Sequence, residues 1–166
     1  MKKFLIGVAT SVFISLGFIW WTVDEAPASG MNIKDAAVIE QGRILYAREC
    51  AVCHGKNLEG QVPDWRSRLP DGSIPAPPHD ETGHTWHHPD QQLFEVTKLG
   101  RKDASGGAME SNMPGFADKL TDSEIWAVLS FIKSQWPDRV TRRHDMINER
   151  MERQRQHMHR RQMQEK

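Results

Sequence analysis

Cys50, Ala51, Val52, Cys53 and His54 form a single CxxCH. Two thiols at this spacing can each add across one vinyl group of a haem, and the adjacent histidine is then carried beneath the iron as its proximal ligand. A CxxC can also be a thioredoxin-like redox pair, which needs a βαβ context, or part of a zinc site, which usually needs four close ligands. Neither context is present: the chain has 2 cysteines in all, and no strand pattern precedes the motif. The motif therefore implies one haem c, held through two thioether bonds at Cys50 and Cys53, with His54 at the iron.

Helices must deliver and enclose such a group. Ala37, Val38, Gln41, Ile44, Leu45 and Arg48 recur at three- and four-residue spacings after a cap at Asn32 or Asp35, which predicts a helix leading directly into Cys50. Gly42 within it costs about 1 kcal/mol relative to alanine, so another backbone is expected to approach there, with Tyr46 one turn later. Thr121 and Glu124 form a capping box. Behind it Ile125, Val128, Leu129 and Ile132 make an apolar stripe, with Trp126 and Phe131 beside it and Pro137 as the stop. A further helix is expected from Pro89 or Asp90 to Leu99, with Gly100 as its terminator.

Residues 55–88 have neither helical nor strand periodicity. They contain Pro63, Pro70, Pro75, Pro77 and Pro78 with Gly55, Gly60, Gly72 and Gly83. A loop this long inside a compact domain implies a function or a cofactor, and a porphyrin can supply core on which loops pack. Within it His79, His84, His87 and His88 crowd around Trp86. They could bind copper or zinc, or one of them could ligate the iron; the plainer reading is hydrogen bonding in the loop over the haem or capping of the next helix.

In order along the chain, Gly42 with Tyr46 before CxxCH, the segment Asn112, Met113, Pro114, Gly115, Phe116, and the closing amphipathic helix with Phe131 resemble a class I cytochrome c. The resemblance covers roughly residues 35–137. It implies an all-α fold in which the first and last helices cross at the glycine, and it implies Met113 as the distal iron ligand opposite His54. On local chemistry only Pro114 separates Met113 from Met109, and a core methionine filling space is the bland alternative for both. With both axial positions filled no small-molecule substrate reaches the iron. The implied role is an electron carrier, or a subunit of a larger oxidoreductase complex, exchanging single electrons with a redox donor and an acceptor. An open iron position would instead make the chain a haem enzyme or gas sensor.

The flanks set the location. After Lys2 and Lys3, the 20 residues from Phe4 to Val23 carry no charge, enough for a helix about 30 Å long. With Trp20 and Trp21 as interfacial aromatics, residues 1–30 read as a transmembrane anchor and linker. The competing reading is a signal segment cleaved near Ala26, Pro27 and Ala28, giving a soluble periplasmic protein. Either way the haem domain, residues 31–138, is exported to the periplasm or its equivalent.

The formal charge of zero is unevenly spread: residues 31–138 hold 11 basic and 16 acidic side chains, net −5, and residues 139–166 hold 9 and 4, net +5. Nothing in this balance suggests nucleic acid. The basic tail carries His144, His157, His159, Met146, Met151, Met158 and Met163, with Ile147, Met151 and Met158 at helical spacing. It reads as a solvated helical extension, as a docking surface for an acidic partner or anionic lipid, or, together with the histidine loop, as a copper-handling arm.

Overall fold

The computed structural model describes residues 30–107 and 111–164. The anchor or signal segment and Met109 lie outside the described residues. Among those described, the elements are α1 (Ala36–Glu49), α2 (Ala51–His54), a 3-10 turn (Thr85–His87), α3 (Asp90–Leu99), α4 (Arg101–Ala104), α5 (Asp122–Ser134) and α6 (Asp138–Gln164), with no strand. No helix among them is long and apolar enough to cross a membrane.

Asp35, not Asn32, caps α1, its carboxylate accepting from the amides of Ala37 at 2.9 Å and Val38 at 3.4 Å. Asn32 is used differently, its amide donating to Ser130 Oγ at 2.8 Å and so tying the start of the domain to α5. The face that α1 buries is Gly42, Leu45 and Tyr46, whereas Ile44, part of the expected stripe, is 52% exposed. The stripe is displaced because α5 docks on the glycine. A Cβ at position 42 would overlap the carbonyl of Ala127 and come within 2.9 Å of Phe131 Cβ. Tyr46 then packs on Phe131, ring centroids 5.4 Å apart, and donates its hydroxyl to the carbonyl of Gly55 at 2.8 Å.

The capping box of α5 forms as its sequence dictates, with Glu124 N donating to Thr121 Oγ1 and the Glu124 carboxylate accepting from Thr121 N at 2.8 Å. Ile125, Val128, Leu129 and Ile132 are buried, and Trp126 stacks on Phe94 of α3 with centroids 4.5 Å apart. α5 stops at Ser134, and Pro137 instead opens the next helix, its carbonyl accepting from Val140 N at 2.8 Å. α3 begins at Asp90 with Pro89 just outside as its N-cap, and it ends at Gly100, whose φ of +82° suits a residue without a side chain.

α6 has 27 residues and is about 40 Å long. Its two halves differ. Val140 and His144 are buried against the loop before α3, whereas residues 149–164 are exposed along their whole length. Lys133 of α5, with its side chain 8% exposed, pairs with Asp145 of α6 at 2.6 Å. Sequence patterning treats residues 139–166 as one basic tail, yet the first turns of that tail help build the body of the domain. The exposed half carries only surface pairs such as Arg153 with Glu149 and Arg155 with Glu152, which contribute little to stability.

Burial, with the Lys133 charge adding to it, pushes the His144 imidazole below its ordinary 6.5, against the opposing pull of Asp90. The folded chain thus holds a neutral ring that the unfolded chain would protonate. This part of the stability is fully present above about pH 6.5 and is lost as pH falls toward the folded value. The urea midpoint should fall between pH 7.5 and 5, with a smaller slope in His144→Phe. An equal slope in both proteins would remove His144 as a source.

Candidate functional site

α1 leads into the motif without a break in hydrogen bonding. Cys50 N donates to Tyr46 O at 2.9 Å, and Cys53 N and His54 N donate to Cys50 O at 3.1 and 3.0 Å. One turn of helix therefore carries both sulfurs and the imidazole. Gly55, at φ +81°, ends the turn, with its amide on Ala51 O. Cys50 is half-buried and Cys53 exposed, and no disulfide joins them. Burial, with the Glu49 carboxylate and Cys53 nearby, pushes the Cys50 thiol up to about 12. A thiol held protonated is not primed as a thiolate nucleophile, which needs a lowered value. It suits a sulfur that ends as a neutral thioether.

His54 is buried, and its Nδ1 donates to the carbonyl oxygen of Pro77 at 2.8 Å. That bond fixes the tautomer, leaving Nε2 as the free lone pair. Burial also holds this imidazole below its ordinary value, with the Pro77 bond partly opposing the shift, so the ring stays neutral, as a metal ligand must. His79 stacks on it with centroids 3.9 Å apart and planes at 23°. His79 is itself held on three sides: its Nδ1 pairs with Thr85 Oγ1 at 2.8 Å, its amide donates to Leu58 O at 2.8 Å, and its carbonyl accepts from Trp136 Nε1 at 2.7 Å. The loop of residues 55–84 is thus ordered by backbone bonds without regular structure.

Met113 belongs to a different anchorage. Phe116 N donates to Thr97 O at 3.1 Å and Ala117 N to Lys98 O at 3.1 Å, so the segment hangs from the C-terminal end of α3. Gly100 and Gly115 permit the close approach: a Cβ on Gly115 would stand 2.7 Å from Leu99 C, and one on Gly100 would stand 2.7 Å from Gly115 N. Met113 is half-buried, with its amide on Ser111 Oγ at 3.1 Å.

Of the remaining loop histidines, His87 is exposed and stacks on Trp86 with centroids 3.6 Å apart, and His84 and His88 line a polar edge. His84 stacks on Trp65 with centroids 5.0 Å apart and meets His88 edge-on at 5.3 Å. Among the described residues, His84 Nδ1 and His88 Nε2 are buried with no hydrogen-bond partner, an arrangement that folded proteins rarely leave unmet. His88 also lines a cavity of about 130 Å³ together with Gln92, Glu95, Val96 and Arg101. Burial, then the charges of His88, Arg101, His87 and Arg66, push His84 down to about 4. A ring so held is neutral at pH 7, so the positive charge along this edge comes from Arg66 and Arg101. Among the described residues no three His, Cys, Asp or Glu side chains gather as a metal set.

The sequence singled out Cys50, Cys53, His54 and Met113 but had no means of finding Pro77, which contributes only a carbonyl. The structure brings the first three onto one turn and places Met113 on a separate support. A family model described as Cytochrome c matches residues 39–136, more than half the chain. With an all-helical fold and a covalent attachment turn backed by a hydrogen-bonded imidazole, the chain belongs to the cytochrome c family. Its cofactor is covalent haem c, and its domain is that of a haem-based electron carrier that works with redox partners. No curated protein and no solved structure matches it.

Proposed function

We propose that the protein is an exported mono-haem cytochrome that passes single electrons between a donor and an acceptor protein, its iron held by His54 and Met113. When bound, the haem supplies a metal centre that gains and loses one electron. The chain does the rest. Cys50 and Cys53 tether the group, and His54 offers Nε2 because its Nδ1 is committed to Pro77. That commitment is the observation that carries the reading, since a ligating histidine needs its other nitrogen held by an acceptor. Met113 offers a soft thioether, which favours reduced iron and raises the potential. The segment before the domain, residues 1–30, would anchor it at the membrane with the haem domain on the extracytoplasmic side, or be cleaved to leave it soluble there.

Optical and magnetic spectra of the purified, oxidised holoprotein test the ligand pair directly. Low-spin iron with one imidazole and one thioether is expected, and a five-coordinate high-spin signal would overturn the closed site. Met113→Ala should lower the reduction potential and let carbon monoxide bind the reduced protein, which the parent should resist. An unchanged potential would pass the distal role to Met109 or to a histidine.

A further inference from the structure

α6 begins beyond the family match, which ends at residue 136, yet its first half reaches toward the supports of both proposed iron ligands. His144 is fully buried, donates from Nε2 to the carbonyl of His88 at 3.1 Å, and lies edge-on to Trp136 with centroids 5.0 Å apart. Trp136 donates to the carbonyl of His79, and the His79 ring lies on the ring of His54. One turn further along, Asn148 caps α3 from outside. Its Oδ1 accepts from Asp90 N at 2.8 Å and its Nδ2 donates to Asp90 Oδ1 at 2.7 Å, filling the place where Pro89 has no side-chain oxygen to offer. The far end of α3 carries the segment that follows Met113.

A solvated appendage has no use for a buried histidine bonded through Nε2 to a loop carbonyl and approached at Nδ1 by Asn148 Nδ2 at 3.4 Å. Burying such a ring costs free energy unless its polar atoms are met, and here they are met on the loop that backs His54. Pro77 and His79 are two residues apart, so whatever holds His79 also holds the carbonyl that orients His54.

We propose that His144 is a positioning residue for the haem site, acting through Trp136 and the His79 carbonyl to keep Pro77 against His54 Nδ1. This rests on the reading that His54 ligates the iron. A hydrogen bond at Nδ1 makes a ligating imidazole more basic, which favours the oxidised metal. Loosening that support weakens the bond, lowers the basicity and raises the reduction potential. Anchoring α6 for stability alone would do none of this.

The test uses the full-length holoprotein with His144→Phe, which keeps an aromatic ring near Trp136 but loses the donor to His88, and His144→Gln, which retains a donor. His144→Phe should shift the midpoint potential upward, and His144→Gln should return it toward the parent value. Asn148→Leu should shift it in the same direction as His144→Phe and serves in its place if that variant does not fold. Folded, haem-loaded variants with a lower unfolding midpoint and an unchanged potential would overturn the proposal while leaving His54 ligation intact. A parent spectrum without histidine-ligated iron would instead remove the ligand assignment, and this proposal with it.

Discussion

Replacing Cys50 and Cys53 together by alanine is expected to abolish covalent haem retention, so that acidic acetone strips all pigment and the polypeptide mass equals that of its amino acids. Each sulfur supplies one thioether, so either single substitution should leave the haem attached through the other. The double variant should also fold poorly. Residues 55–84 have no helix or strand among them, and a haem that binds only the folded chain stabilises such a loop by mass action, a contribution that falls when the tether is lost. His54 and Met113 could still grip a haem non-covalently, which is why extraction and mass, rather than colour, are the measurements. Pigment surviving extraction from the double variant would break the assignment at its root.

Gly42→Ala is expected to destabilise the protein by about 2 kcal/mol or more and to lower the yield of haem-loaded chain. Two effects compete. Alanine is favoured over glycine inside a helix by about 1 kcal/mol, but the added Cβ overlaps the carbonyl of Ala127, and overpacking of a tight contact costs typically about 1–3 kcal/mol and occasionally more. The steric term wins because its obstacle is backbone, which cannot turn aside as a flexible side chain can. The α1 and α5 pair is also the most extensive helix contact in the described residues, so separating the two helices disturbs Tyr46, Phe131 and the attachment turn together. A urea denaturation series checks the result. A variant as stable as the parent would mean that the helices cross elsewhere.

The places where sequence reasoning succeeded share a cause. CxxCH, the Thr121 and Glu124 box and the Gly100 stop are short-range devices, in which a few adjacent residues satisfy one another or a single backbone angle. Gly42 was legible for a related reason, since a residue unfavourable to a helix in mid-helix signals a compensating contact even when the partner is unnamed. Ile44 misled because periodicity gives the breadth of an apolar stripe but not its centre. The docking of α5 at the glycine turns the buried face toward Leu45 and Tyr46 and leaves Ile44 outside. The join between domain and tail was placed by charge, which does not register that Val140 and His144 are buried.

From the residues alone came the attachment chemistry, the helices that carry and enclose it, and the candidates at 54 and 113. Tertiary structure alone decided which carbonyl meets His54 Nδ1, why His79 lies against that ring, and that the start of α6 belongs to the same support. Backbone carbonyls look alike in every residue, and pairs separated by 23 positions, as His54 and Pro77 are, or by 57, as His79 and Trp136 are, leave no local spacing to read. Only the path of the folded chain brings them within hydrogen-bonding reach.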